Sequence, residues 1–169
     1  MRIGQGFDVH ALEEGIPLVL GGVTIAHDKG LKGDSDGDVL CHAVIDALLG
    51  AAHLGDMSTW FRSDDPMVSG ARSLGLLERA WLLVQERGFA LVNLDVTVVT
   101  EVHRLADVRG QMEANLARAL TVAASQISVK AKTTDQLGFL GRREGMAALA
   151  IVLLEERIIH AGGIARPPG

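Results

Sequence analysis

The sequence predicts an α+β fold in which helices pack on one face of a four-stranded mixed sheet. Three observations predict it. Stretches of two-residue alternation are interleaved with amphipathic stretches of helical period. Those amphipathic helices need one shared sheet to cover. A nearly continuous apolar run at 145–155 suits a strand covered on both faces. The 169 residues fit one domain, expected over 1–156, with a flexible tail at 157–169 that ends in Arg166-Pro167-Pro168-Gly169.

In chain order, residues 2–10 place Ile3, Phe7 and Val9 on one face of a strand and Gly4, Gly6, Asp8 and His10 on the other. Residues 17–25 read as a short hairpin pivoting on Gly21-Gly22. Gly30 to Gly37 form a loop rich in glycine and aspartate, from which Ser35, as a capping box with Asp38, opens a helix over about 38–54. A second helix covers about 71–87, with Leu74, Leu77, Trp81 and Val84 on its apolar face and Gly88 just past its end. Residues 89–100 alternate Val92, Leu94, Val96 and Val98 against Asn93, Asp95 and Thr97, which predicts a strand. A third helix follows over 105–122, and Ile127, Val129 and Ala131 alternate with Ser128, Lys130 and Lys132 in a further strand.

Composition narrows the function. With 48% hydrophobic and 22% charged residues the chain is globular rather than disordered. A net charge of −5 without a dominant basic patch argues against a nucleic-acid partner. If the ligand is a diphosphate, metal ions and local donors must offset that charge. The single Cys41 excludes an intramolecular disulfide and fits a small buried hydrophobe in a reducing compartment. The start of the chain does not resemble a signal peptide, and no apolar run approaches the roughly 18 residues that cross a bilayer. No membrane partner and a cytoplasmic setting are expected.

The chemistry concentrates in two places. Asp8 and His10 leave the same face of their strand, while Asp38, His42, Asp46 and His53 are expected in one polar stripe of an otherwise apolar helix. An Asp-x-His strand with one helical His makes a three-ligand nitrogen and oxygen site of a kind zinc accepts, with Asp46 as the expected acceptor for an imidazole N–H. Two histidines that are merely buried and hydrogen-bonded would share this pattern. The second place is Lys132 to Gly145, where hydroxyls and backbone amides at a strand end suit phosphate oxygens and a hard cation, as well as an ordinary polar loop.

The blocks Arg2-Ile3-Gly4-Gln5-Gly6-Phe7-Asp8-Val9-His10, Ser35-Asp36-Gly37-Asp38-Val39, His42 with Asp46-Ala47-Leu48-Leu49-Gly50, Gly55-Asp56, and Leu137-Gly138-Phe139-Leu140-Gly141-Arg142 with Glu144-Gly145 occur in one order and without gaps. In these the chain resembles the 2-C-methyl-D-erythritol 2,4-cyclodiphosphate synthases of the non-mevalonate isoprenoid pathway, over residues 1 to about 156. The resemblance implies a homotrimer with sheets packed around its axis and active sites at subunit interfaces. It implies one zinc per subunit on Asp8, His10 and His42, and a second divalent cation, magnesium or manganese, at Asp135. The implied reaction is metal-dependent cyclisation of a nucleotide-diphosphate substrate, 4-diphosphocytidyl-2-C-methyl-D-erythritol 2-phosphate, with release of CMP.

The resemblance also assigns residues. Thr133 and Asp34 stand at the catalytic positions, the former beside the transferring phosphate. Asp8, Val9, His10, Asp34 and Ser35 line the substrate, Asp56, Met57 and Ser58 lie near the ribose, and Phe61, Arg62, Ser63, Asp64 and Asp65 flank the methylerythritol. Arg104, Lys132, Thr133, Thr134 and Asp135 surround the cytidine and phosphates. Phe139 and Arg142 face the trimer axis, where some members hold an isoprenoid diphosphate. Where the family usually carries His before the Ser-Asp pair this chain has Asp34; its cation-binding Glu is Asp135; and Ser63, His103-Arg104 and Lys132 replace an Asp, a Pro-Lys pair and a Thr. A non-catalytic zinc-containing trimer that binds a cytidine nucleotide or an isoprenoid diphosphate is the alternative these substitutions raise. A generic zinc hydrolase fits the three ligands alone but lacks an evident partner base.

Overall fold

A computed structural model describes residues 1–102 and 105–157. His103, Arg104 and all of the expected flexible tail beyond Arg157 lie outside the described residues.

The first strand, β1 (Arg2–Glu14), carries the site, and its faces are used in an unusual sense. Ile3, Phe7 and Val9 are 75%, 57% and 41% exposed, whereas the glycine-lined face with Asp8 and His10 lies under a helix. That helix, α1 (Val39–Ala51), is buried on almost every side. It rests on bare backbone: a Cβ at Gly4 would overlap the carbonyl oxygen of Ala47, and one at Gly6 that of Ala43. Glycine is required here for close approach, and that approach brings α1 side chains level with Asp8 and His10.

The sheet has five strands, not four. Its order is β4 (Lys29–Leu31), β1, β7 (Gly145–Glu156), β5 (Phe89–Val99) and β6 (Ile127–Lys132). All neighbours are antiparallel except β5 and β6, which run parallel. The unforeseen strand is β4, three residues inside the glycine-rich segment that pair Leu31 with Leu12. Three residues are too few to show alternation. The central strand β7 is buried along most of its length, as its apolar run requires. The hairpin forms as expected from β2 (Leu18–Leu20) and β3 (Val23–Ile25), with Gly21 and Gly22 both at positive φ.

Helices cover one face. α1 packs on β1 and β7, α3 (Ser73–Glu86) packs on α1 and β5, and α4 (Leu105–Ala119) packs on β6. The cap of α1 is Asp38 itself rather than Ser35: its Oδ1 accepts from the Cys41 N–H at 3.1 Å. The same carboxylate accepts from Gly21 N–H at 3.0 Å and Gly22 N–H at 2.7 Å, tying the hairpin to the helix start. Burial pushes the Asp38 carboxyl up, against the pull of those N–H bonds. The predicted four-residue stripe therefore divides. Asp38 faces the hairpin, and His53 lies beyond the helix end, exposed and at φ 58°. A bulge between Leu91 and Asn93 takes Val92 off the buried face of β5, and Gln126 Nε2 donates to the carbonyls of Leu91 at 2.7 Å and Val92 at 3.1 Å. No helix among the described residues is long and apolar enough to cross a membrane.

Candidate active site

Asp8 and His10 project from β1, and His42 comes down from the first turns of α1 onto them. Asp8 Oδ2 lies 3.0 Å from His10 Nε2 and 3.0 Å from His42 Nδ1. One donor atom from each residue lies within 4.8 Å of the others, a cluster that could hold a metal ion. The two rings stand 5.2 Å apart, tilted by 54°. Burial alone would raise the Asp8 carboxyl, but hydrogen bonding and charge from the imidazole side, led by His10, hold the group well below the ordinary carboxylate range. The Asp8 hydrogen bond and charge raise His10 in turn, against its own burial. His10 Nδ1 is buried with no hydrogen-bond partner among the described residues. Gly33 makes room for that ring, since a Cβ there would come within 2.8 Å of it. One anionic oxygen and two imidazole nitrogens converging on one point suit a divalent cation with a position left for another ligand.

The far side of His42 is held by residues the sequence did not single out. Its Nε2 lies 2.9 Å from Ser73 Oγ and 3.0 Å from Ser35 Oγ. Ser73, fully buried at the start of α3, donates its hydroxyl to Asp36 Oδ1 and its N–H to Asp36 Oδ2 at 3.1 Å. Asp46, expected to accept from an imidazole, instead accepts from the Met57 N–H at 2.7 Å. Burial and the nearby Asp56 and Asp8 charges raise the Asp46 carboxyl, against that N–H bond.

A cavity of about 370 Å³ opens over the cluster, lined by Asp8, His10, Asp34, Ser35, His42, Asp46, Asp56, Met57, Ser58, Phe61, Ser63 and Val68. Asp56 caps the short helix α2 (Met57–Trp60), taking up Ser58 Oγ at 2.7 Å and Thr59 N–H at 3.0 Å. Phe61 is buried, with the Arg79 guanidinium 5.4 Å from its ring centre. Arg62 turns outward into a two-bond pair with Asp64, and Asp65 accepts from the Met67 N–H. Val9 offers this side only its backbone, whose N–H donates to Asp8 Oδ1 at 2.9 Å.

Of the remaining predicted site residues, those that are described do not join this cavity within one chain. Lys132 ends β6, three strand spacings from β1, or roughly 14 Å. Beyond it Thr133 Oγ1 donates to Asp135 Oδ1 at 3.0 Å, and Asp135 sits at φ 51°. Glu101 accepts from the Thr134 N–H at 2.9 Å and the Thr134 hydroxyl at 3.0 Å; the backbone bond is the chief reason its carboxyl is lowered. Phe139 stands half-exposed on the single turn α5 (Gly138–Gly141), and Arg142 pairs with Glu144 at 2.7 Å.

Comparison with known proteins agrees with this architecture. A 2-C-methyl-D-erythritol 2,4-cyclodiphosphate synthase of Geobacillus kaustophilus (strain HTA426) is 52% identical over 155 residues, covering 92% of this chain and 98% of the relative. Part of the bifunctional IspDF of Campylobacter jejuni superimposes with a TM-score of 0.88 at 45% identity, covering 92% of this chain and 42% of that longer one. The CDP complex of Plasmodium falciparum IspF superimposes with a TM-score of 0.80 at 33% identity, covering 92% and 96% of the two chains. The model of the YgbB family matches residues 1–155, nearly the whole described structure, and the chain belongs to that family.

Proposed function

We propose that this chain catalyses the metal-dependent cyclisation of 4-diphosphocytidyl-2-C-methyl-D-erythritol 2-phosphate to 2-C-methyl-D-erythritol 2,4-cyclodiphosphate, releasing CMP. The observation that carries the reading is the convergence of Asp8, His10 and His42 at the floor of a polar cavity. Relatives about half identical to it bear the synthase's name, and a structural neighbour is a CDP complex, which matches the cytidine diphosphate part of the substrate.

In the reaction an oxygen of the 2-phosphate bonds to the β-phosphorus. The bond from that phosphorus to the bridging oxygen breaks, and CMP departs with the bridging oxygen. Zinc at Asp8, His10 and His42, with magnesium or manganese at Asp135, would supply positive charge that orients and neutralises the diphosphate. The chain's own residues bind and orient. Asp56 and Ser58 hold the ribose side, and Phe61 to Asp65 border the methylerythritol. The Thr133 hydroxyl steadies the transferring phosphate, with Lys132, Thr134 and Arg104 around the cytidine and phosphates. Holding two phosphates of one molecule together lets proximity supply much of the acceleration.

A homotrimer belongs to the same proposal. The two groups of site residues stand three strand spacings apart within a chain, and the helix-free face of the sheet exposes Ile3, Phe7 and Ile151. A neighbouring subunit would cover that face and bring its 132–135 loop to this cavity, with Phe139 and Arg142 near the axis. Residues 1–156 would fold as the single synthase domain. A cytoplasmic setting is supported by the single buried Cys41.

The test is turnover of the nucleotide substrate with zinc and magnesium, read as CMP release and by phosphorus NMR of the product. The expected product is the cyclic diphosphate. Nucleotide binding without CMP release would overturn the reading in favour of a non-catalytic trimer.

A further inference from the structure

The cluster with Asp8 accounts for one nitrogen of His42; the other is engaged just as closely, by Ser73, Ser35 and, through Ser73, Asp36. We propose that Asp36 and Ser73 are positioning residues that fix which ring nitrogen of His42 carries its proton, and so hold Nδ1 as the metal-binding atom. The inference rests on the reading that Asp8, His10 and His42 take a divalent cation.

The direction of each hydrogen bond follows from the groups. A carboxylate only accepts. Asp36 accepts from the Ser73 N–H at 3.1 Å and from the Ser73 hydroxyl, so the one hydroxyl hydrogen of Ser73 is committed. Its oxygen is then left to accept, and what lies 2.9 Å away is His42 Nε2, which must be the N–H. Ser35 does not disturb this. Its hydroxyl can donate to Ser73 Oγ at 3.1 Å while its oxygen also accepts from His42 at 3.0 Å. Ser73 is fully buried, so bulk water does not compete for its oxygen.

With the proton on Nε2, the neutral ring presents a lone pair at Nδ1, 3.0 Å from Asp8 Oδ2. Two acceptors at that separation repel unless a cation is shared between them. The relay thus turns His42 into a ligand before any metal arrives. It is also well braced. The Asp36 N–H donates to the Ala71 carbonyl at 3.0 Å and the Gly70 N–H to the Asp34 carbonyl at 2.8 Å, fastening the 34–36 loop to the segment that opens α3.

A role confined to starting α3 would use the same contacts, so the test needs a readout that such a role leaves unmoved. Zinc affinity is measured by chelator competition on the wild type, Asp36→Asn and Ser73→Ala, beside thermal melting of the metal-free proteins. Nitrogen-15 NMR of the zinc-loaded wild type reports the imidazole. The expected results are zinc coordination through Nδ1 with a slowly exchanging Nε2 proton, and zinc dissociation constants raised about 10–100-fold in both variants. The nearly isosteric Asp36→Asn should keep its metal-free melting point. Asn can donate to Ser73 and so frees the relay's direction without emptying the site. Should Ser73→Ala not fold, Asp36→Asn and the wild-type spectrum still decide. Coordination through Nε2, or zinc affinity within twofold of wild type in the variants that fold, overturns the relay and leaves the metal site standing. A wild type that binds no zinc overturns the metal site and the relay together.

Discussion

Asp34 is the residue at which this chain's electrostatics run against its proposed substrate. It is exposed at the cavity mouth, and its charge is among those that raise His10. A carboxylate there repels phosphate oxygens, where an imidazole could donate to them. Losing one donor to a developing oxyanion costs about 2.7–4 kcal/mol. Asp34→His should therefore raise kcat at least about tenfold, near 1.4 kcal/mol of barrier. The measurement is kcat at saturating zinc and magnesium, so that metal loss cannot mimic the effect; an unchanged kcat would place position 34 outside reach of the reacting phosphates. At this scale the sequence was legible where residues share an element or a repeat. Asp8 and His10 share a strand face, and His42 is the polar residue in the first turns of an apolar helix. Ser73 and Asp36 were not legible, because 37 residues separate them and only the docking of α3 on α1 brings them to His42. Asp46 misled for the same reason: one turn from His42 along the helix, it is claimed by the backbone of Met57.

Between elements, the contact that matters most is β1 under α1, since Asp8 and His10 ride on one and His42 on the other. Gly6→Ala would drive a methyl into the Ala43 carbonyl and lift the helix. Overpacking of this kind costs about 1–3 kcal/mol. The expected outcome is a lower melting temperature together with weaker zinc binding, because the shift separates His42 from Asp8. Gly50→Ala is the control: nothing lies within 4 Å of its added Cβ, and replacing a helical glycine should be neutral or stabilise by up to about 1 kcal/mol. Equal melting of Gly6→Ala and wild type would show that the close approach is not needed. The glycines of β1 were visible in the sequence, but their use was not. Alternation separates two faces without saying which is buried, and here the covered face is the one with glycine and polar residues. Long periodic elements were legible throughout; β4 and the bulge in β5 were not, since three-residue pairing and one extra residue leave no period to read.

For the molecule as a whole, the question is whether one chain owns a complete site. His42 belongs to the cavity on β1, while Thr133 follows β6 on the far side of the sheet. The helix-free face between them carries Ile3 at 75% and Phe7 at 57% exposure, apolar area that a solitary subunit would leave in water. The proposed cyclic trimer with head-to-tail interfaces would resolve both facts, each cavity being completed by the loop of the next subunit. The proposal has a consequence that a self-sufficient chain does not share. His42→Ala should inactivate a cavity and Thr133→Ala a loop, so each variant alone should be nearly inactive. Co-expressed in equal amounts under two affinity tags and purified through both, they should form mixed rings. In such rings some interfaces join the intact cavity of a Thr133→Ala subunit to the intact loop of a His42→Ala subunit. With random mixing about a quarter of all interfaces have that composition, and purification through both tags enriches it by discarding uniform rings. Each ring that carries both tags holds one such interface in three, so activity should return to about a third of wild type, with an unchanged KM, because the restored sites are wild type in every residue. Mixed rings that remain as inactive as the separate variants would show that cavity and loop work within one chain, and the neighbouring subunit would lose its place in the site.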